Sequence, residues 1–395
     1  MKIQLTDVPA LARGCAVLGT GGGGDVRTGA LAARRAIQEY GDVPLVGLAD
    51  LPDDALVVPL SGIGAPTVSH EMIHGEDEPR RIAQEIERIF GRPPSAVMSS
   101  EIGGANGVAP VAWAAQLGLP LLDADGMGRA FPEVQMVSMY VAGLPADLVI
   151  MADIVGNVVT IRPVDGLWSE RLARAVCVAA GSHALMADYV LTAEGARGAV
   201  IEGTVTRALA VGRATEGTGD PLAALRSELG AYELITGKLA DVERRTTGGF
   251  VRGTATVEGT GADRGRALTL ELQNENLVAM AGGRIMAMVP DLITVVDTET
   301  AAAIQTESLR YGQRVTVLAW PCDPLWRTPR GLETAGPRAF GYDLDYLPVE
   351  DLAKDLAKDL AKDLAKDLAK DLAKDLAKDL AKDPAEEPVK EGPRD

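Results

Sequence analysis

The sequence predicts an α/β N-terminal domain with a mostly parallel sheet, a largely β C-terminal domain and a helical or disordered repeat tail. Strand-like and helix-like segments alternate over residues 1–165, which is typical of parallel strands covered by helices. Short β-branched runs separated by turn residues dominate residues 166–346. Residues 347–395 consist mainly of an Asp-Leu-Ala-Lys repeat. Since single cores stop growing beyond ~250–300 residues, two domains are expected before the tail.

The elements of the first domain follow from apolar runs, helix caps and helical spacing of apolar side chains. The strands are predicted at Ala16–Leu18, Pro44–Leu48, Ala55–Leu60, Ala96–Ser99 and Leu119–Leu122. The helices are predicted at residues 6–13, where Thr6 is the cap, and at Thr28–Tyr40, Glu76–Phe90 and Asn106–Leu117. This alternation places the strands in one sheet with helices across it.

The second domain is predicted to open with a helix at Trp168–Ala180 and to continue as strands. The strands are predicted at 249–259, Ala267–Gln273, Leu292–Asp297 and Arg314–Ala319.

The tail repeats Asp-Leu-Ala-Lys from Asp351 to Lys382. A four-residue period advances ~40° per repeat beyond the helical period, so its leucines spiral around a helix and form no continuous seam. We therefore expect removal of residues 351–395 to leave the stability and activity of the two domains unchanged.

Charge and composition exclude several classes of partner. The 395 residues carry 56 acidic and 39 basic side chains, a net charge of −17, which disfavours nucleic acid and anionic membranes. No uncharged apolar run approaches the ~20 residues of a membrane span. Three scattered cysteines fit core positions in a reducing compartment, so a cytoplasmic protein is expected. The expected substrate is a small molecule. A homo-oligomer is left open.

Four polar motifs in the first third of the chain each follow an apolar run. They are Gly19–Asp25, Ser61–Pro66, Glu101–Gly107 and Asp123–Arg129. If the preceding strands are parallel, the motifs meet at one sheet edge, where open α/β folds bind ligands. The sequence therefore predicts a ligand site at this edge.

The glycine run allows three interpretations. Gly19, Gly21 and Gly24 match a dinucleotide pattern weakly, because no acidic residue follows at the usual distance. Alternatively, the backbone N–H groups around Gly21, Gly22 and Gly23 bind an anion or the substrate. The third interpretation is a tight strand-to-helix turn.

The acidic motifs supply candidate catalytic and binding groups. Glu101, Asp123 and Asp125 are the candidate catalytic carboxylates, and Arg129 and Glu133 are candidate substrate contacts. Asn106 either binds substrate or caps the following helix.

The cofactor is left undetermined. Carboxylates crowded at one edge repel unless a cation compensates them, so a divalent metal such as zinc is one alternative, with His74 and Asp125 as candidate ligands. In the other alternative these side chains point apart and serve as caps and turn residues.

The motifs resemble the signature blocks of the S-methyl thiohydantoin desulfurase family, which is associated with hydantoinases. The matching blocks are 19–24, 101–106, 123–136, 237–242, 273–275, 290–293, 307–312 and 336–341. The resemblance implies hydrolysis of a substituent on a small hydantoin-type ring, with methanethiol as leaving group. An accessory subunit that binds ligand beside a hydantoinase is the alternative, and a nucleotide-dependent ligase is a third hypothesis. The polar clusters 273–276 and 307–311 are either part of the site or turns.

Overall fold

The computed structural model describes residues 1–64, 68, 75, 77–247, 250–356 and 358. Met1–Val349 form one structural unit and Glu350–Asp395 a second. In the second unit, Lys354 and Lys358 pair with Asp351 and Asp355 at 3.0 Å, the i,i+3 pairing that the repeat favours. Residue 357 and residues 359–395 of the predicted tail lie outside the described residues.

The helices of the first unit are short to medium in length and mostly carry one apolar face. They are α1 Val8–Leu18, α2 Val26–Tyr40, α3 Glu78–Phe90, α4 Ala105–Leu117, α5 Ser138–Val141, α6 Gly166–Ala179, α7 Ala193–Ala196, α8 Thr204–Ala214, α9 Pro221–Leu229 and α10 Pro329–Ala335.

The strands divide into two sheets. Those of the first sheet are β1 Lys2–Ile3, β2 Val43–Val46, β3 Leu56–Gly64, β4 Ala96–Ser99, β5 Leu121–Asp125, β6 Val149–Ala152, β7 Val158–Ile161, β8 His183–Asp188, β9 Leu191–Thr192 and β10 Ile201–Glu202. Those of the second are β11 Tyr232–Thr247, β12 Phe250–Gly259, β13 Ala267–Gln273, β14 Glu275–Ala281, β15 Arg284–Met288, β16 Leu292–Asp297 and β17 Arg314–Trp320.

The first sheet is mixed, which corrects the prediction of a mostly parallel sheet. Its order is β1-β2-β5-β4-β3-β8-β6-β7, with β10 on β5 and β9 on β3. Strands β2, β5, β4 and β3 are parallel, whereas β8, β6 and β7 continue the sheet antiparallel. The parallel strands are apolar and buried, as expected for strands covered on both faces. Because β8 lies after residue 166, part of the second predicted segment completes the first sheet.

Helices α3 and α6 cover opposite faces of the antiparallel half. Ala173 and Cys177 of α6 pack with Val149 and Met186, on one side of β6 and β8. The alternate residues of the same strands, such as Ile150, face the main core. This two-residue periodicity places α6 and the main core on either side of the sheet.

The second sheet is antiparallel in the order β15-β14-β13-β12-β11-β17-β16, in agreement with a β-rich C-terminal part. It curls, so that the Asn276 side chain of β14 donates to the Ile293 carbonyl of β16 at 3.0 Å. The sheet packs on the first half of the chain through α1, where Thr294 donates to the Val17 carbonyl at 2.9 Å. The two halves thus share one core.

One predicted element has the wrong type. Residues 16–18 form the last turn of α1, which begins at Val8 instead of following a Thr6 cap. A short apolar run of this length cannot distinguish a strand from the end of a helix. The glycine run is therefore a helix-to-helix connection.

The three cysteines are buried and unpaired, as expected for core residues. Among the helices in the described part of the chain, none combines the length and apolar character that a bilayer crossing requires.

Asp291, between β15 and β16, anchors the C-terminal segment. Its fully buried carboxylate pairs with Arg327 at 2.8 Å and accepts from the Tyr346 hydroxyl and the Val349 backbone N–H at 2.9 and 2.8 Å. Val349 is itself fully buried. The packed structure therefore continues three residues beyond the predicted limit at residue 346.

We predict that a chain ending at Tyr346 unfolds with a free energy about 2–4 kcal/mol below that of a chain ending at Glu350. The shorter chain loses the burial of Val349 and its hydrogen bond to a charged acceptor. Urea denaturation of the two truncated proteins measures the difference. Equal midpoints would show that the Val349 contact contributes nothing.

Candidate active site

Three of the four motifs meet at one edge of the first sheet, as predicted. Leu60 of β3 pairs with Ser99 of β4, and Ser99 pairs with Asp125 of β5, so the three strands end together. Ser61–Gly64 are part of β3 itself, and Ala65 and Pro66 lie outside the described residues. The fourth motif, the glycine run, reaches the same edge from the end of α1.

The glycine run presents carbonyl groups to its neighbours. The backbone N–H groups of Ala105 and Asn106, in the first turn of α4, donate to the carbonyls of Gly24 and Gly23 at 3.1 and 3.4 Å. On the other side, Asn276 donates to the Thr20 carbonyl through its backbone and its side chain, both at 2.8 Å. These bonds occupy N–H groups in the first turn of α4, while binding of an anion or the substrate by the N–H groups around Gly21, Gly22 and Gly23 stays a prediction.

The run also needs to be free of side chains. Gly23 has a φ of +74°, and a Cβ there would lie 2.3 Å from the Gly103 carbonyl oxygen. A Cβ on Gly22 would lie 2.0 Å from the Glu275 carboxylate, and one on Gly21 would lie 2.7 Å from Thr306. The glycines thus allow backbone and C-terminal side chains to approach closely.

Glu101 lies at the centre of this edge. It is 7% exposed, and its carboxylate accepts from the Asn106 side-chain amide at 2.6 Å. Burial raises its pKa to about 7, against the lowering effects of the Asn106 amide and of the Phe131 backbone N–H. A carboxyl group with this pKa exchanges a proton near neutral pH, as a general base must.

Asn106 holds Glu101 in place and does not cap α4. Its side-chain oxygen accepts from the Gly62 N–H at 2.8 Å, and its amide donates to Glu101 and to the Gly62 carbonyl. The cap position of α4 belongs to Gly104. Asn106 therefore fixes the Glu101 carboxylate to strand β3.

Glu275 brings a second carboxyl group from the C-terminal sheet. It is 2% exposed, and its Oε2 atom has no hydrogen-bond partner among the described residues. Burial and the nearby Glu101 raise its pKa well above the usual range, while Arg129 opposes this shift. Two carboxyl groups that interact in this way titrate as a pair and tend to hold one proton between them.

Arg129 is a buried cation behind the carboxyl pair. Its guanidinium donates to the carbonyls of Ala130 and Asp291 at 3.0 and 3.1 Å, and to the Thr20 hydroxyl at 3.0 Å. It also lies 4.4 Å from the centre of the Phe131 ring. Burial lowers its pKa to about 10, and Glu275 and Asp291 oppose that effect. Arg129 does not line the cavity, so this geometry does not fit the predicted contact with an anionic substrate.

Asp123 and Asp125 face the start of α8 and do not line the cavity. Asp123 accepts from the backbone N–H of Thr206 at 3.0 Å and from its hydroxyl group. Asp125 is fully buried and accepts from the N–H groups of Ile102 at 2.7 Å and Gly128 at 2.8 Å. Burial raises the pKa of Asp125 to about 7, despite these donors. Both carboxylates accept hydrogen bonds from backbone N–H groups. They therefore act as cap and turn residues, the second of the two alternatives that the sequence left open.

Asp188, at the end of β8, is a third buried carboxyl group at the site. It is 1% exposed and accepts weakly from the Ser100 hydroxyl at 3.4 Å, and burial raises its pKa to about 7. His183, at the other end of β8, is also buried, which lowers its pKa. Both residues line the same cavity as Glu101 and Glu275.

The cavity has a volume of about 460 Å³, which is within the range of small-molecule sites. Apolar residues, including Ile63, Phe131 and Met186, form much of its wall. Gly22 and Gly23 of the glycine run also line it, together with Glu133. Glu133 accepts from the Gln135 side chain at 2.5 Å.

The described residues contain no group of three or more His, Cys, Asp and Glu side chains arranged to hold a metal ion. Asp25 lines the cavity, caps α2 and pairs with Arg27 at 2.6 Å. His74, the other candidate ligand, lies outside the described residues, as does His70. Asp25, Glu101 and Glu133 thus line one cavity, whereas Asp123 and Asp125 bind backbone groups away from it.

Sequence reasoning missed Glu275 and Asp188 as members of the site. Glu275 carried a signal, since it lies in the polar cluster 273–276 and in one of the matching blocks, but that cluster was equally consistent with a turn. Asp188 follows an apolar run without a polar motif, so no local pattern marked it.

Two family models match adjacent parts of the chain. The model described as the S-Me-THD-like N-terminal domain matches residues 6–163, and the model of the S-Me-THD-like C-terminal domain matches residues 164–349. No curated protein matches the chain. A crystal structure of a protein from Chromobacterium violaceum, solved by a structural genomics consortium, is similar with a TM-score of 0.74. It is 24% identical, and the match covers 88% of this chain and 100% of that one, which shows a shared fold.

We predict that Glu101→Gln changes the pH dependence of stability. The folded-state pKa of Glu101 is about 7, above the unfolded value, so its protonation stabilises the folded state at low pH. This stabilisation is lost as the pH rises through about 7. A neutral glutamine should therefore raise the free energy of unfolding at about pH 8, by at most about 3 kcal/mol, and change it little below about pH 5.

Denaturation of both proteins at several pH values measures this effect. Asp53→Asn is the control, since this carboxylate is 70% exposed in an ion pair with Arg197. A pH dependence of Glu101→Gln parallel to that of the unmodified protein would contradict the raised pKa.

Proposed function

Since this chain belongs to the S-Me-THD-like family, which corresponds to the S-methyl thiohydantoin desulfurase family, we propose that it hydrolyses a small hydantoin-type ring compound and releases methanethiol. The observation that carries the proposal is the pair of buried carboxyl groups, Glu101 and Glu275, at one small-molecule cavity. The two groups come from different halves of the chain. Their pKa values are both raised, which suits proton transfer at neutral pH.

The reaction requires one water and two proton transfers. The water oxygen bonds to the ring carbon that carries the S-methyl group, while the carbon–nitrogen double bond becomes single and the ring nitrogen takes up a proton. The oxygen then forms a carbonyl group as the carbon–sulfur bond breaks. Of the two protons that the water loses, one replaces the proton given to the nitrogen and the other leaves on sulfur as methanethiol. The products are the hydantoin-type carbonyl compound and the thiol, so no oxidant or reductant is needed.

Glu101 is the proposed general base. With a pKa of about 7, a substantial fraction of this carboxyl group is ionised at neutral pH and can accept a proton from the attacking water. The Asn106 amide holds one of its oxygens at 2.6 Å and leaves the other for the water. Asn106 is therefore a positioning residue that acts through Glu101.

Glu275 is the proposed general acid. Burial and the nearby Glu101 raise its pKa well above the usual range, which favours its protonated form. A protonated carboxyl group at the cavity can donate its proton to the ring nitrogen or to the leaving sulfur. Glu101 and Glu275 thus take opposite roles because their surroundings separate their protonation states.

Arg129 changes the pKa values of this pair from a buried position that does not line the cavity. It lowers the pKa of both carboxyl groups and makes its hydrogen bonds to the chain. Its contribution is to limit the cost of holding two carboxyl groups in a buried space. Arg129 is a second positioning residue.

We predict steady thiol release from S-methyl thiohydantoins over many turnovers, measured with a thiol-reactive dye. Glu101→Gln and Glu275→Gln should each lower kcat by about 100-fold to 10,000-fold, the usual contribution of a general acid or base. The logarithm of kcat/KM should rise with pH up to about 7, as Glu101 ionises.

Asp53→Asn is the control for these variants and should retain the full rate, because its carboxylate is exposed on the surface. Ligand binding without thiol release would instead support the accessory subunit that binds ligand beside a hydantoinase. A full rate in Glu101→Gln would refute the assignment of the base.

A further inference from the structure

The cavity carries an excess of acidic groups in its buried part. Glu101, Asp188 and Glu275 all line it and are at most 7% exposed. Glu101 and Asp188 have pKa values of about 7, so a substantial fraction of each is ionised at neutral pH and repels an anionic ligand at close range. This arrangement disfavours an anionic ligand.

The basic groups that line the cavity in the described residues do not compensate these carboxyl groups. Arg174 pairs with Glu170 at 2.8 Å, and Arg35 lies on the exposed side of α2, one helical turn from Glu39. His183 is buried, which favours its neutral form. Among the described residues, the buried part of the cavity therefore lacks a cation placed to receive a carboxylate.

A continuous apolar wall lies in the same cavity. Ile63, Val134 and Met186 line it, and all three belong to one buried apolar cluster with α6. Their exposed fractions are 5%, 7% and 4%. An apolar surface of this kind gains free energy when a hydrocarbon group displaces water from it.

We propose that the cavity selects hydantoin-type rings whose C5 substituent is uncharged and apolar, and rejects rings whose C5 substituent carries a carboxylate. The substituent packs on Ile63, Val134 and Met186, while the ring lies between Glu101 and Glu275. This inference rests on the proposed function for the orientation of the ring. A cavity of about 460 Å³ leaves room for a substituent of amino-acid size beside the ring.

The test compares three S-methyl thiohydantoins with C5 substituents of similar size: isobutyl, carboxyethyl and carbamoylethyl. We expect kcat/KM for the isobutyl compound to exceed that for the carboxyethyl compound by about 100-fold or more, because the carboxylate would be buried without a partner. The carbamoylethyl compound is polar but uncharged, so it distinguishes the effect of charge from that of polarity. Its kcat/KM should lie between those of the other two compounds. Equal values for the isobutyl and carboxyethyl compounds would overturn the inference.

Calorimetric binding of the three corresponding hydantoins tests selectivity without turnover. Tighter binding of the isobutyl hydantoin, with no thiol release from any compound, would support the selectivity and refute the proposed reaction. Thiol release with no discrimination would refute the selectivity alone. Failure of all three hydantoins to bind would overturn the inference.

Two variants locate the selectivity. Met186→Ala should weaken binding of the isobutyl hydantoin about 10-fold and change binding of the carboxyethyl compound less. Asp188→Asn removes one negative charge and should improve binding of the carboxyethyl hydantoin about 10-fold. Asp53→Asn, on the exposed surface, should change neither. If Met186→Ala and Asp188→Asn leave both affinities unchanged, the substituent does not lie where we propose.

Discussion

The close backbone contact between the two glycine-rich segments is the constraint on which the rest of the site depends. A side chain on Gly23 would overlap the Gly103 carbonyl, and one on Gly104 would lie 2.3 Å from the backbone of Gly23. This contact brings the end of α1, the start of α4 and the first residues of β14 to one point. Glu101 and Glu275, which are 174 positions apart, face the same cavity because of it.

Because Glu101 and Glu275 face the same cavity, their negative charges repel each other. Two features of the surroundings reduce this repulsion. Arg129 attracts both carboxyl groups from a fully buried position, and burial favours their neutral forms. Removal of the cation would leave the pair without its compensating charge, whereas removal of one carboxyl group would relieve the other. The site is thus a balance among three groups, and the properties of each depend on the other two.

The sequence predicted the outline of this fold and the location of the site better than the roles of its residues. Ala96–Ser99, Ala267–Gln273 and Leu292–Asp297 form strands with the predicted limits, because apolar runs between turn residues are a strong local signal. The family resemblance was confirmed by matches over residues 6–349.

The wrong element type at residues 16–18 came from an ambiguous local run, whereas other features of the fold and site depend on contacts between distant parts of the chain. The antiparallel half of the first sheet required β8 to pair with β3 across more than a hundred residues. Asp123 and Asp125 lie at the predicted edge but serve the backbone near α8, and Arg129 faces the interior. Local patterns locate polar residues along the chain, but they do not fix the partner that each one finds in space.

The anchoring of the C-terminal segment has a consequence for the order in which the protein matures on the ribosome. Asp291 binds Arg129 through its carbonyl and the Val349 N–H through its carboxylate. The first sheet can assemble once β10 has emerged, but the contacts around Arg129 and Asp291 are completed when residue 349 has been synthesised. A nascent chain therefore holds Glu101 and Arg129 in its first half before Glu275 and Asp291 reach them, and it completes the site only late in translation.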